Sequence, residues 1–203
     1  DAQLDECARA LAEAFDYKFL FDALDRRRDL QVPTLLVSLQ GCFVDGAGEV
    51  YAASVPGEGV VGVAVWSVPS CREPRACSEE AQRGWLELMA KLPAHLQAWW
   101  TNYYAEFGQI VESAISTKTH HASWHLVIIG VVEKHRHKGI ATALMADIHN
   151  KARQQGVASV LECADENIPV YTSLGYTVEG SGKLTSPPPS EGTFSTNILI
   201  KRH

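Results

Sequence analysis

The chain has 203 residues, room for one domain with a sizeable core and barely enough for two. Hydrophobic residues make up 46% and charged residues 21%, ordinary globular proportions that exclude a disordered chain, and no apolar run approaches the ~20 residues needed to cross a bilayer. A net charge of −6 lacks the excess of Lys and Arg that draws a protein to nucleic acid or anionic lipid, so neither nucleic acid nor membrane is expected as a partner.

Leu4, Cys7, Ala8, Leu11 and Phe15 recur at helical spacing with acidic residues between them, which predicts an opening amphipathic helix rather than the basic, uninterrupted start of a secretory signal. A second short helix is expected from Lys18 to Arg28. Pro33 stands where a first helical position would be, and Leu35, Leu36, Leu39 and Phe43 follow; this reads as a third helix, although its β-branched and aromatic content leaves a strand open. The five cysteines, Cys7, Cys42, Cys71, Cys77 and Cys163, are odd in number and match no metal or disulfide spacing, as expected of reduced thiols in a cytoplasmic protein.

Glu49 to Ser54, the turn Pro56-Gly-Glu-Gly59 and Val60 to Trp66 predict a hairpin of two buried strands. Arg72 to Cys77 reads as a loop, and Ser78-Glu-Glu80 as a helix start with acids where the helix dipole favours them. One or two helices then run to about Ser116, broken near Pro93; their aromatic residues, Trp85, Trp99, Trp100 and Tyr103 among them, read as core. Trp124 to Val132 is a near-continuous apolar run suited to a strand buried on both faces. A helix from Ile140 to about Gln155 follows, closed by Gly156, then a strand from Val157 to Cys163, a short helix from Pro169 to Leu174, a strand from Tyr176 to Glu179, a proline loop and a last strand from Phe194 to Ile200. Strand, helix, strand at this spacing predicts an α/β fold with a right-handed parallel crossover inside a mixed sheet.

The chemistry concentrates where the central strand meets its helix, at Arg136-His137-Lys138-Gly139-Ile140-Ala141. Small residues at Gly139 and Ala141 let a ligand approach the backbone, and the first helical turn leaves N–H groups unpaired beside the positive end of the helix dipole. Such a turn holds phosphate oxygens, with Lys134, Arg136 and Lys138 as nearby charges. It is neither a Walker loop nor a dinucleotide fingerprint, because both glycine spacings are absent.

Leu126 to Met145, with Arg136, Gly139 three residues on and Ala141 two beyond it, resembles the acetyl-coenzyme A motif of the GNAT superfamily of N-acetyltransferases. About thirty residues later, Val170-Tyr-Thr-Ser-Leu-Gly-Tyr176 is similar to that family's second signature, Tyr-x-x-x-Gly followed by Phe or Tyr. The resemblance implies one acetyltransferase domain over 1–203, with the cofactor motif at 124–155, the second signature at 157–178 and a helical insertion at about 78–118 that shapes the acceptor side. It also implies a mostly antiparallel twisted sheet whose central parallel pair splays around acetyl-CoA, with helices on both faces. The family's fold usually begins with a strand, which is here missing or upstream.

Several roles follow from the resemblance. The backbone from Arg136 through Ala141, with the Thr142 hydroxyl, would hold the pyrophosphate, and Ile129, Gly130 and Val131 would pair with the pantetheine arm, Gly130 marking a splay or bulge. Tyr171 would be the general acid toward the leaving sulfur. Asp165 occupies a position where the family often has Asn, and so is a cofactor-contact candidate. The base stays open among His125, Glu162, Asp165 and a water chain. A metal is not expected at His120, His121 and His125, nor at His135 and His137, because no helix is seen to place them and carboxylates nearby are sparse. Cys163 has no evident His partner to make it a nucleophile. The expected activity is transfer of acetyl from acetyl-CoA to a small-molecule amine in a ternary complex, by a monomer or homodimer. Protein or peptide acetylation, or non-catalytic acyl-CoA binding, are the alternatives.

Overall fold

A computed structural model describes residues 2–43, 46–70 and 79–203, so the loop expected at Arg72 to Cys77 and the helix start at Ser78 lie outside the described residues. Helix α1 (Ala2–Ala14) is the opening amphipathic helix, burying Cys7, Ala8 and Leu11. Helix α2 (Gln31–Phe43) settles the open choice between helix and strand, and it begins two residues before Pro33. The helix expected from Lys18 to Arg28 does not form. Left-handed backbone at Leu20, Asp25 and Arg26 breaks the stretch into short 3-10 turns, and the Ala23 carbonyl accepts from the Trp100 indole at 3.1 Å instead of continuing a helical ladder.

Strands β1 (Gly48–Val55) and β2 (Gly59–Ser67) form the expected hairpin, and α3 (Glu79–Met89) and α4 (Ala94–Ile115) are separated at Pro93, which has the extended backbone of an N-cap. A short α5 (Thr117–His121) leads into β3 (Trp124–Val131). Then come α6 (Ile140–Gln155), closed by left-handed Gly156, β4 (Ser159–Cys163), α7 (Ile168–Ser173), β5 (Thr177–Thr185) and β6 (Thr193–Lys201). The six strands make one open, mixed sheet in the order β1-β2-β3-β4-β6-β5, with β3 and β4 its parallel pair. No helix among the described residues is long and apolar enough to cross a membrane.

Each face of the sheet carries its own core. Leu144, Met145 and Ile148 of α6 pack on Trp66, Trp124, Leu126 and Leu161, while α1 and α2 cover Val63, Val65 and Ile128 on the other face. A third cluster, Leu88, Leu92, Leu96, Trp99 and Trp100 with Leu24 and Leu30, joins α3 and α4 to the turns after α1, so these aromatic residues are core as expected. β3 is not buried on both faces throughout: its residues alternate between buried and half-buried as far as Ile128, and Ile129, Gly130 and Val131 are all half-buried.

β5 runs on past the expected end at Glu179, through Gly180 and Gly182, two glycines that serve close packing. A Cβ on Gly180 would lie 2.6 Å from Ala114 Cβ and 3.1 Å from Ala114 Cα, and one on Gly182 would lie 2.5 Å from the Ile110 side chain. Helix α4 therefore rests directly on the strand, and both glycines stay within the ladder to β6. Gly180→Val is expected to destabilise the protein by about 1–3 kcal/mol through overpacking against the α4 backbone. Urea denaturation checks this; an unchanged midpoint would mean that α4 yields freely.

Candidate active site

The central strands part early. β3 and β4 pair only at Trp124 with Ser159, His125 with Val160 and Leu126 with Leu161, after which the β3 edge facing β4 has no strand partner among the described residues. The parting coincides with an irregularity in the β2–β3 ladder: Trp66 faces Leu126 and Val65 faces Ile128, so Val127 is extra. One extra residue inverts the alternation, putting Leu126 and Ile129 toward α6 but Ile128 toward α1. Gly130 is therefore not the bulge. It sits in regular register with Val63, and its missing side chain admits α1, since a Cβ there would meet Leu11 and Ala14 at 3.0 Å.

Beyond the parted strand, the turn into α6 exposes a run of main-chain donors. His137 and Gly139 are left-handed, with φ of 60° and 79°, and Gly139 is the N-cap of α6 without a side chain to cap it. The first helical bond is Ala143 N–H to the Gly139 carbonyl, and the amides of His137, Lys138, Gly139, Ile140, Ala141 and Thr142 meet no acceptor among the described residues. Apart from its own neighbouring backbone, no atom of the described residues lies within 4 Å of where a Cβ on Gly139 would be. Six free donors at a helix start suit an anion with several oxygens.

The charges of this turn are placed otherwise than expected. The Arg136 amide donates to the Glu133 carbonyl, and its guanidinium donates to the Val131 carbonyl at 3.1 Å and the Ala14 carbonyl at 2.6 Å. Arg136 therefore ties the C-terminal end of α1 to the turn rather than presenting its charge to a ligand. Lys134 pairs with Glu58, and buried His135 lies 3.2 Å from the same carboxylate. Lys138 is exposed and makes no ion pair among the described residues.

The titratable candidates gather where the parallel rungs end. His125 Nε2 is 2.8 Å from Glu162 Oε2. Burial pushes the Glu162 carboxyl up, but the charge and hydrogen bond of His125, with His120 nearby, outweigh burial and hold it below its ordinary range. An ionised carboxylate only accepts, so His125 Nε2 is the donor in this bond. His120 from α5 closes this group, its ring centroid 4.6 Å from that of His125. Burial, then the neighbouring His125, push its pKa down to about 4. His120 thus stands on a helix and Glu162 supplies a carboxylate, so the two grounds for setting these histidines aside as ligands do not hold.

Tyr171 lies on α7, its ring edge-on to Tyr176 at 6.1 Å, and its hydroxyl is hydrogen-bonded to no described residue. Burial, then Cys163 and Glu162, push its pKa up to about 12, so it keeps its proton. The Cys163 thiol is also pushed up, to about 11, by burial and then by Glu162, which makes it a poor nucleophile. Asp165 stands apart from the histidines: its carboxylate accepts from Asn197 Nδ2 at 2.7 Å and ties the turn before α7 to β6. The bulge at Val127 left no mark in the sequence, because an all-apolar strand hides a change of face. The place of His120 could have been sought only in the histidine pair shortly before the central strand.

Comparison with known proteins agrees with this architecture. The crystal structure of arylalkylamine N-acetyltransferase 2 from Aedes aegypti superposes with a TM-score of 0.62 at 16% identity, covering 99% of this chain and 94% of that one. That of the histone acetyltransferase HPA2 and related acetyltransferase from Corynebacterium glutamicum gives 0.56 at 18% identity, covering 100% and 92%. At these identities the likeness concerns the fold, a GNAT-like sheet with its parallel pair at the centre. The family model for the acetyltransferase (GNAT) family matches residues 64–176, more than half of the chain, and the protein belongs to that family of acyltransferases.

Proposed function

We propose that the chain is a single acetyltransferase domain that takes the acetyl group of acetyl-coenzyme A and passes it directly to the amine of a small molecule. The observation that carries this reading is the run of six free amides, His137 to Thr142, beside the unpaired edge of β3. Donors of that number and placement fit a diphosphate, and the parted edge fits an arm carrying amides of its own. Acetyl-coenzyme A supplies the activated thioester.

Each residue then has a defined task. The amides of His137 through Thr142, with the Thr142 hydroxyl, hold the pyrophosphate, and the backbone of Ile129 and Gly130 pairs with the pantetheine arm. The Val131 carbonyl is already used by Arg136, which leaves Val131 to contribute chiefly its position. An N–H of the parted strand polarises the thioester carbonyl as charge builds on its oxygen. Nδ1 of His125 takes the proton from the attacking amine while Glu162 holds the ring through Nε2. Tyr171, which keeps its proton at neutral pH, gives it to the leaving sulfur. Asp165 acts through its tie to Asn197, keeping the turn before α7 in place.

A cationic acceptor fits the anionic Glu162 behind His125 and the net charge of −6. The Aedes aegypti neighbour is an arylalkylamine acetyltransferase, in keeping with an amine acceptor. Release of free thiol from acetyl-coenzyme A across arylamines, polyamines, amino acids and peptides tests the acceptor class; turnover with peptides alone would replace the small-molecule reading.

Gly139→Glu is expected to abolish cofactor binding in calorimetry, because a carboxylate would project into the space before the amides from a left-handed position. Affinity equal to that of the parent would remove the turn from the site. Tyr171→Phe is expected to lower turnover roughly 100-fold while leaving cofactor affinity near the parent value. Undiminished turnover would show that the sulfur leaves without its help.

A further inference from the structure

Three side chains from three elements converge beneath the parting strands. His120 of α5, His125 of β3 and Glu162 of β4 each bring one ligand-capable atom within 4.8 Å of the other two. Two of them are fixed by strand register: His125 pairs with Val160, and Glu162 lies two residues on along the same face. The third is fixed by the cap of α5, where the Ser116 hydroxyl accepts from the Thr119 amide at 3.2 Å and the His120 amide donates to the Ser116 carbonyl at 3.1 Å. His120 Nε2 is shielded from solvent and has no hydrogen-bond partner among the described residues. The pairing of His125 with Glu162 does not account for it, because that bond leaves the His120 nitrogen unsatisfied.

We propose that His120, His125 and Glu162 form a three-ligand Zn2+ site with one position open, and that filling it switches acetyl transfer off. Two imidazole nitrogens and one carboxylate oxygen are a donor set that zinc accepts, whereas Mg2+ and Ca2+ demand oxygen throughout. Zinc bonds of about 2.0–2.2 Å place tetrahedral donors about 3.3 Å apart, so donors now up to 4.8 Å apart close by about 1.5 Å at most while the 2.8 Å pair of His125 and Glu162 opens by about 0.5 Å, both within the reach of side-chain rotation. A bound ion gives the His120 nitrogen its missing partner. The switching half rests on His125 being the base, since a metal-ligated imidazole cannot take the amine's proton; the binding half stands on the geometry alone.

The test is titration of the metal-stripped full chain with Zn2+ by calorimetry and with Co2+ by visible absorption, beside His120→Ala and Glu162→Gln. One equivalent of Zn2+, tetrahedral Co2+ bands that Zn2+ displaces, and affinity lowered at least about 100-fold in both variants are expected. Glu162→Gln keeps the side-chain volume and decides the matter if His120→Ala fails to fold. No binding, or binding that neither variant weakens, would overturn the site while leaving the base assignment to turnover measurements on His125→Ala. Saturating Zn2+ is expected to stop thiol release without changing affinity for the cofactor. If the ion binds through these residues and turnover persists, the site stands and the base role of His125 falls.

Discussion

The brevity of one strand pairing governs this molecule. β3 and β4 keep company for three rungs and then diverge, at the point where Val127 adds a residue that the β2 ladder does not match. A parallel pair that ran on would bury its inner edges and leave no room between them. By parting, it leaves the β3 edge that faces β4 without a strand partner among the described residues, and the turn that follows β3 leads into α6. In the proposed site, binding rests on backbone that the fold leaves unpaired rather than on the charged side chains of the turn.

The same turn is held by what it does not offer to a ligand. Arg136 spends its guanidinium on the Ala14 and Val131 carbonyls, and Lys134 spends its ammonium on Glu58. Gly130 lets α1 come down onto β3 close enough for Ala14 to be reached. Helix, strand and turn are thus one mechanical unit: the left-handed residues His137 and Gly139 are stationed by contacts some distance from them. A ligand meeting the six amides would find them already ordered, and would not have to supply that ordering itself.

The order of elements and the parallel crossover could be read from the sequence because α6 and its flanking strands are bounded by strong local signals, a glycine start at Gly139 and a glycine stop at Gly156. The helix expected from Lys18 to Arg28 failed for the opposite reason: its spacing suggested a helix, but the tertiary bond from Trp100 to Ala23 competes for the backbone. Gly180 and Gly182 concealed half of β5, since nothing local says whether a glycine turns the chain or makes room for a helix lying on it. At the site, the residue types were legible and their partnerships were not. Tyr171, His125 and Glu162 could be named from their positions, but the bond between the last two depends on strand register, and the arrival of His120 depends on how α4 and α5 cross the sheet.

The central claim, that the backbone opening α6 seats a diphosphate, is tested most directly by amide resonances of isotope-labelled protein during titration with coenzyme A. The largest displacements are expected on His137 through Thr142, much reduced when pantetheine, which lacks the diphosphate, is used instead. Amides of 137–142 that stay in place while coenzyme A binds would contradict it.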